Sequence, residues 1–145
     1  MNSCAFCQIA NGGVPAGIVF EDDLTLAFLD HRPVFPGHCL VIPRQHFDSL
    51  VDLPSPLLAQ LSANARLLAI AVEKGLGAQG AFLAINNRVS QSVPHLHVHV
   101  VPRSKGDGLK GFFWPRHKYR DPEHLEEVRA ALSLAVRDLH ETELG

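Results

Sequence analysis

Residues 95–101 read His95-Leu96-His97-Val98-His99-Val100-Val101. Side chains alternate across an extended chain, so the three histidines share one face and Leu96, Val98 and Val100 share the other. Successive histidines then stand roughly 6.5–7 Å apart along the strand. The aliphatic face needs a core to bury it, while the imidazole face must do something polar. The run therefore asks for a sheet with one side packed and a row of imidazoles on the other.

The rest of the chain supplies such a sheet. Ile18-Val19-Phe20 and Leu24 to Leu29 read as strands joined by a turn at Asp22-Asp23, a β-hairpin. His38 to Ile42 is a third strand ended by Pro43, Ala81 to Ile85 a fourth, and His95 to Val101 a fifth. Between the third and fourth, Ser55-Pro56 gives a helix start, with serine as cap and proline at the first helical position. Leu57, Leu61, Leu68 and Val72 follow at helical spacing, and Gly75 and Gly77 suit the stop. Asp121-Pro122 repeats the start signal before a second amphipathic helix marked by Leu125, Val128, Leu132, Val136 and Leu139. The expected class is α+β: about five antiparallel strands, one main helix between strands and a C-terminal helix. The 145 residues are expected to form one domain, 1–145, with a C-terminal helical extension. Gly106 to Tyr119, containing Phe112-Phe113-Trp114-Pro115, is a long non-periodic connection.

Three readings of the histidine row compete: a solvated or structurally bonded row, a metal site, and nucleophilic catalysis on an anionic substrate. The preceding segment, Asn86-Asn87-Arg88-Val89-Ser90-Gln91-Ser92-Val93-Pro94, decides for the third. It is rich in hydrogen-bond donors and holds no carboxylate, as a phosphate-cradling turn would. Net charge is −2, which implies no broad nucleic-acid footprint, and the reading expects no polymer partner. No apolar stretch reads as long enough to span a bilayer, and Met1-Asn2-Ser3-Cys4 lacks the features of a signal peptide. A cytoplasmic protein without a membrane partner is expected. Three cysteines, two of them close together, favour reduced thiols or a metal over a disulfide framework. Cys4-Ala5-Phe6-Cys7 is one half of a common zinc pattern; a pair of buried free thiols is the other reading. Cys39, mid-strand among apolar neighbours, reads as core.

The segment from Gln91 to Arg103 resembles the signature of the histidine-triad (HIT) family, in both its Hint and Fhit branches. The likeness extends to Val19-Phe20-Glu21-Asp22, Ala27-Phe28-Leu29-Asp30, the run Pro36 to Pro43, and Lys105-Gly106-Asp107-Gly108. It implies the HIT fold and a phosphohydrolase that cleaves a purine nucleotide conjugate at its α-phosphate. Such a conjugate would be a dinucleoside polyphosphate or a nucleoside phosphoramidate. A nucleotidyl transferase or phosphorylase, and a nucleotide-binding interaction protein with little turnover, are the alternatives.

By the same resemblance, His97 is the nucleophile and the His95 carbonyl fixes its tautomer. His99 binds a non-bridging phosphate oxygen, and His38 buttresses the first triad histidine, His95. Ser92 contacts the phosphate and assists the leaving group, Asn86 is the substrate-binding polar residue after the fourth strand, and Gln91 is the glutamine of the phosphate loop. Asp30 binds the ribose hydroxyls, and Ile18, Phe20 and His31 line the base pocket, with ordinary core packing the other reading of Phe20. Ser90 stands where the family loop usually has glycine, and the loop is shorter than usual. The resemblance also implies structural zinc on Cys4, Cys7, His46 and His95, with no organic cofactor. Such zinc would clip the N-terminal segment to the active-site strand and serve stability more than turnover. Finally it implies a homodimer, for which the helix Ser55 to Lys74 is more apolar than one buried face requires.

Overall fold

The computed structural model describes residues 3–110 and 115–142, so the expectation for Phe112-Phe113-Trp114 lies outside the described residues. The chain falls into two compact units, Met1–Asp107 and Gly108–Gly145.

The first unit holds five strands: β1 Ile18–Glu21, β2 Thr25–Leu29, β3 Cys39–Pro43, β4 Gly80–Ala84 and β5 Val98–Arg103. They form one antiparallel sheet in the order β1-β2-β3-β5-β4, the α+β architecture expected. A six-residue helix α1 (Ala5–Ala10) precedes them, and α2 (Ser55–Leu76) links β3 to β4. β5 inserts between β3 and β4, so the histidine segment reaches the middle of the sheet.

Alternation sorts the strands into two packed faces. Ala27, Cys39, Val41, Leu96, Val98 and Val100 meet Leu61, Ala65 and Leu68 of α2. Leu26, Phe28, Leu40 and Ile42 point the other way and pack with Phe6 of α1. The α2 stripe has the spacing Leu61, Asn64, Ala65, Leu68 and Val72, one side of a helix. Pro54 rather than Ser55 occupies the cap position, because Ser55 is already helical. Gly77, at φ 72°, ends the helix as a left-handed cap. By length and composition α2 is long and apolar enough to cross a membrane, contrary to the sequence expectation. Its apolar residues run round the helix, with one stripe seated on the sheet and Leu67 and Ile70 exposed.

Asn64 is the polar member of that stripe, and Asp22 explains it. The Asp22 carboxylate accepts from Asn64 Nδ2 at 2.8 Å and Gln60 Nε2 at 3.1 Å on one oxygen. Its other oxygen accepts from Leu24 N–H, Thr25 N–H and Thr25 Oγ1. The turn aspartate thus staples the β1–β2 hairpin to α2. Burial works to raise its pKa, but the Asn64, Leu24 and Thr25 bonds outweigh that and hold it at about 2. Asp22→Ala leaves several donors without this acceptor and is expected to cost about 2–3 kcal/mol in denaturant unfolding. The wild-type contribution is present above the ordinary carboxyl pKa of 3.8 and is lost as pH falls from there towards 2.

In the second unit, α3 (Pro122–Thr142) begins where Asp121 Oδ1 accepts the His124 N–H at 2.7 Å. This is the cap-and-proline start that Asp121-Pro122 suggests.

Candidate functional site

β5 starts at Val98, later than the histidine pattern suggests. The last β3–β5 pair is Val41 with Val98, and upstream of it Leu96 N–H bonds the Phe47 carbonyl instead. Side-chain alternation nevertheless continues: Leu96, Val98 and Val100 lie in the α2 core, and the imidazoles face away from it.

The hydrogen bonds assign a proton to each ring. His97 Nδ1 lies 2.8 Å from the His95 carbonyl, which can only accept, so Nδ1 carries the hydrogen and Nε2 keeps its lone pair. His38 Nδ1 accepts the Val34 N–H at 3.1 Å, so the neutral ring is protonated at Nε2. That Nε2 stands 2.9 Å from His99 Nδ1 and donates to it. His99 is thereby left with its proton on Nε2, a donor for an anion. His38 thus buttresses the third triad histidine and not His95 as expected. The register gives the reason: Leu40 pairs with His99, which leaves His38 diagonal to His99 and far along the strand from His95. Gly37 (φ 99°) makes the turn before His38, and a Cβ there would collide with Leu76.

His97 and His99 open on a cavity of about 620 Å³ whose wall also includes Asp30, His31, Ser92 and the apolar Ile9, Val14, Ala16 and Phe28. Asp30 Oδ1 accepts the Arg32 N–H, and Oδ2 lies 3.8 Å from His38 Nε2. Burial above all, then the neighbouring His97 and His38, lowers the His99 pKa to about 4, against the pull of Asp30. Burial also lowers the His38 pKa. Folded pKa values below the ordinary 6.5 mean that the unfolded chain takes up more protons between the two values. Stability from this pair is full above pH 6.5 and falls as pH drops towards 4. The difference in melting temperature between wild type and His99→Gln should therefore change across that window, not above it.

Ile18 lies outside the pocket expected for it, and for Phe20 the core reading holds. A β-bulge separates the pairs Ile18–Phe28 and Phe20–Ala27, so Phe20 turns to the α2 face and packs on that core. Ile18 stays opposite Phe28 but is 48% exposed and outside the cavity wall. Neither Asn86 nor Gln91 lines the cavity. The Gln91 amide pins the loop instead, accepting from Arg88 N–H and donating to the Asp48 carbonyl. Asn87, not Asn86, reaches across to accept the Leu50 N–H at 2.9 Å. Ser90 adopts φ 61°, the left-handed conformation that glycine takes at least cost.

Cys4, Cys7, His46 and His95 converge with one ligand atom each, all within 4.8 Å of one another. Cys4 caps α1, its Sγ accepting the Cys7 N–H, which turns both thiols to the same side. His95 Nδ1 lies 3.4 Å from Cys4 Sγ and 3.5 Å from Cys7 Sγ, and His46 Nδ1 lies 3.3 Å from Cys7 Sγ. Tetrahedral zinc, at about 2.3 Å from sulfur and about 2.0 Å from nitrogen, spaces such ligands about 3.5 Å apart. The second nitrogens are committed as well: His95 Nε2 donates to the Pro43 carbonyl and His46 Nε2 to Asp48, each at its bond distance of 2.8 and 2.7 Å. Burial works to raise the Cys4 pKa, but bonds from Cys7 and His46 hold it below 9.0, favouring the thiolate. The four residues fit a closed metal site. Sequence reasoning missed its orienting partners, Asp48 and the Pro43 carbonyl; Asp48, two residues after His46, was the available signal.

Comparison with known proteins agrees with this geometry. Residues 11–106 match the HIT domain model. The adenosine 5'-monophosphoramidase hnt1 of Schizosaccharomyces pombe is 31% identical over 137 residues, 93% of this chain and 99% of its own length. The crystal structure of SMU.412c from Streptococcus mutans superposes with a TM-score of 0.84 at 33% identity, covering 94% of this chain and 87% of that one. A zinc-bound histidine triad family protein from Mycobacterium smegmatis gives 0.71 at 39% identity, over 94% and 97% of the two chains.

Proposed function

The chain belongs to the HIT domain family, and from that premise we propose that it is a nucleotidyl hydrolase releasing a nucleoside monophosphate from a purine nucleotide conjugate. The observation that carries this reading is the His97 ring: Nδ1 is committed to the His95 carbonyl, while the ring borders the cavity. Its Nε2 lone pair attacks the α-phosphorus and expels the leaving group, giving a nucleotidyl-histidine. Water then attacks the same phosphorus and frees His97. The His99 Nε2–H, held by His38, donates to a non-bridging oxygen as charge develops. Ser92 stands at the wall for the phosphate or the leaving group, and Asp30 for the ribose hydroxyls. Ile9, Val14, Ala16 and Phe28 give the base an apolar bed, with His31 at its edge.

Zinc is the metal we assign to Cys4, Cys7, His46 and His95. Its role is structural, since four protein ligands close the tetrahedron. The location we assign is the cytoplasm, where thiols such as these are kept reduced and free to bind metal. The occupant we assign to the exposed apolar surface of α2 is a second copy. Leu67 and Ile70 are each 43% exposed, beside a groove lined by Val19, Leu29, Leu68, Val72 and Leu76. Sedimentation at micromolar concentration should give a dimer; a monomer contradicts that assignment.

The activity is tested by incubating the zinc-loaded protein with adenosine phosphoramidate and diadenosine tetraphosphate in parallel. Release of AMP from either supports the hydrolase, and the faster substrate identifies the preferred leaving group. Release from neither contradicts it.

A further inference from the structure

One aromatic ring serves neither the metal ligands nor the phosphate contacts. Phe6 sits on the single turn between Cys4 and Cys7 and is 8% exposed. Its ring centroid lies 5.3 Å from Phe28, 5.9 Å from His95 and 5.1 Å from His97, and it stands at 89° to the His97 plane. His97 has a second ring neighbour, His99, at 4.9 Å and 69°.

These contacts address a weakness in the nucleophile's support. The Nδ1 bond to the His95 carbonyl fixes one atom of the ring and its tautomer. It leaves the ring able to rock about that bond, which swings Nε2 across the phosphorus. Attack needs a reacting pair about 3–3.5 Å apart and in line, and a 1 Å misplacement costs about 100-fold in rate. Near-perpendicular ring packing from two separate elements restricts the rocking. His99 supplies one contact from the strand. Phe6 supplies the other from α1, on the turn whose two thiols reach the metal cluster.

We propose that Phe6 is a positioning residue for His97, and that the Cys4–Cys7 turn orients the nucleophile through it. Resting on the hydrolase reading above, this gives the metal cluster two routes to the nucleophile. One runs through the His95 backbone carbonyl and the other through the Phe6 ring. Ordinary core packing would account for Phe6 against Phe28, since both belong to one apolar cluster. It does not require the perpendicular contact with the imidazole, and the two roles separate experimentally.

Phe6→Leu keeps apolar bulk in the cluster and removes the ring. Leu26→Val, in the same cluster but outside the cavity wall, is the control for stability alone. Phe6 also lines the cavity, so the rate is read at saturating nucleotide. Expected for Phe6→Leu are a drop of about 10- to 100-fold in the single-turnover rate of His97 nucleotidylation and unchanged zinc per chain. The His97 ring carbons in the ligand-free protein should show relaxation from increased rocking, while the tautomer stays the same because the bond to the His95 carbonyl persists. Leu26→Val should lower the melting temperature with neither change. A wild-type rate in Phe6→Leu overturns the proposal. So does a slowed rate with the His97 ring relaxation unchanged, which would make Phe6 core only. If wild type itself turns over no nucleotide, the hydrolase reading fails, and the ring relaxation decides the Phe6 role: increased rocking in Phe6→Leu supports it and unchanged rocking overturns it.

Discussion

His97→Ala is expected to lower release of nucleoside monophosphate by about 10⁴-fold or more, the scale seen when a covalent nucleophile is removed. No neighbour can substitute. His95 commits Nε2 to the Pro43 carbonyl and turns Nδ1 to the two thiols. His99 commits Nδ1 to His38 and presents a proton, not a lone pair. Residual activity would come from binding and charge stabilisation alone, by direct attack of water. The ring lies at the cavity wall, so zinc content and the folded sheet should survive the change. Steady-state AMP release, measured beside zinc per chain, checks this. Loss of activity together with zinc would indicate a structural role for His97 instead.

Metal removal should lower stability and, through the Cys4–Cys7 turn, slow turnover by no more than the Phe6→Leu change. Zinc on Cys4, Cys7, His46 and His95 ties α1 to the loop after β3 and to the strand that carries the triad. The sheet and α2 bury their own core, so the chain should stay folded without it. A loss of about 3 kcal/mol, or about 10 °C in melting temperature, is expected for Cys7→Ser or after chelation. Turnover per folded molecule should fall no further than in Phe6→Leu, because the Nδ1 bond to the His95 carbonyl persists. Scanning calorimetry with and without chelator, with activity corrected for the folded fraction, makes the comparison. An unchanged melting temperature would contradict a structural metal.

Much of this site is legible in the sequence because it depends on local period. The alternation over residues 95–100 places Leu96, Val98 and Val100 in the core and the imidazoles opposite, and the 3.6-residue period marks the α2 stripe. What depends on long-range register is not. The His38–His99 bond follows from how β3 meets β5, which neither strand encodes alone. The β1 bulge turns Phe20 to the α2 face with no glycine or proline inside Ile18–Phe20 itself. Helix α1 has six residues and a cysteine cap, too short for a periodic signal, and so the Phe6 contact with His97 was hidden. Asn64 broke an apolar stripe and made sense only once Asp22 lay across from it.

Covalent attack by His97 is tested by intact and peptide mass spectrometry after a rapid acid-free quench with excess substrate. One nucleoside monophosphoryl group is expected on the peptide carrying His97, present in wild type and absent in His97→Ala. AMP release at full rate with no such adduct under any quench time, or an adduct that persists in His97→Ala, would contradict it.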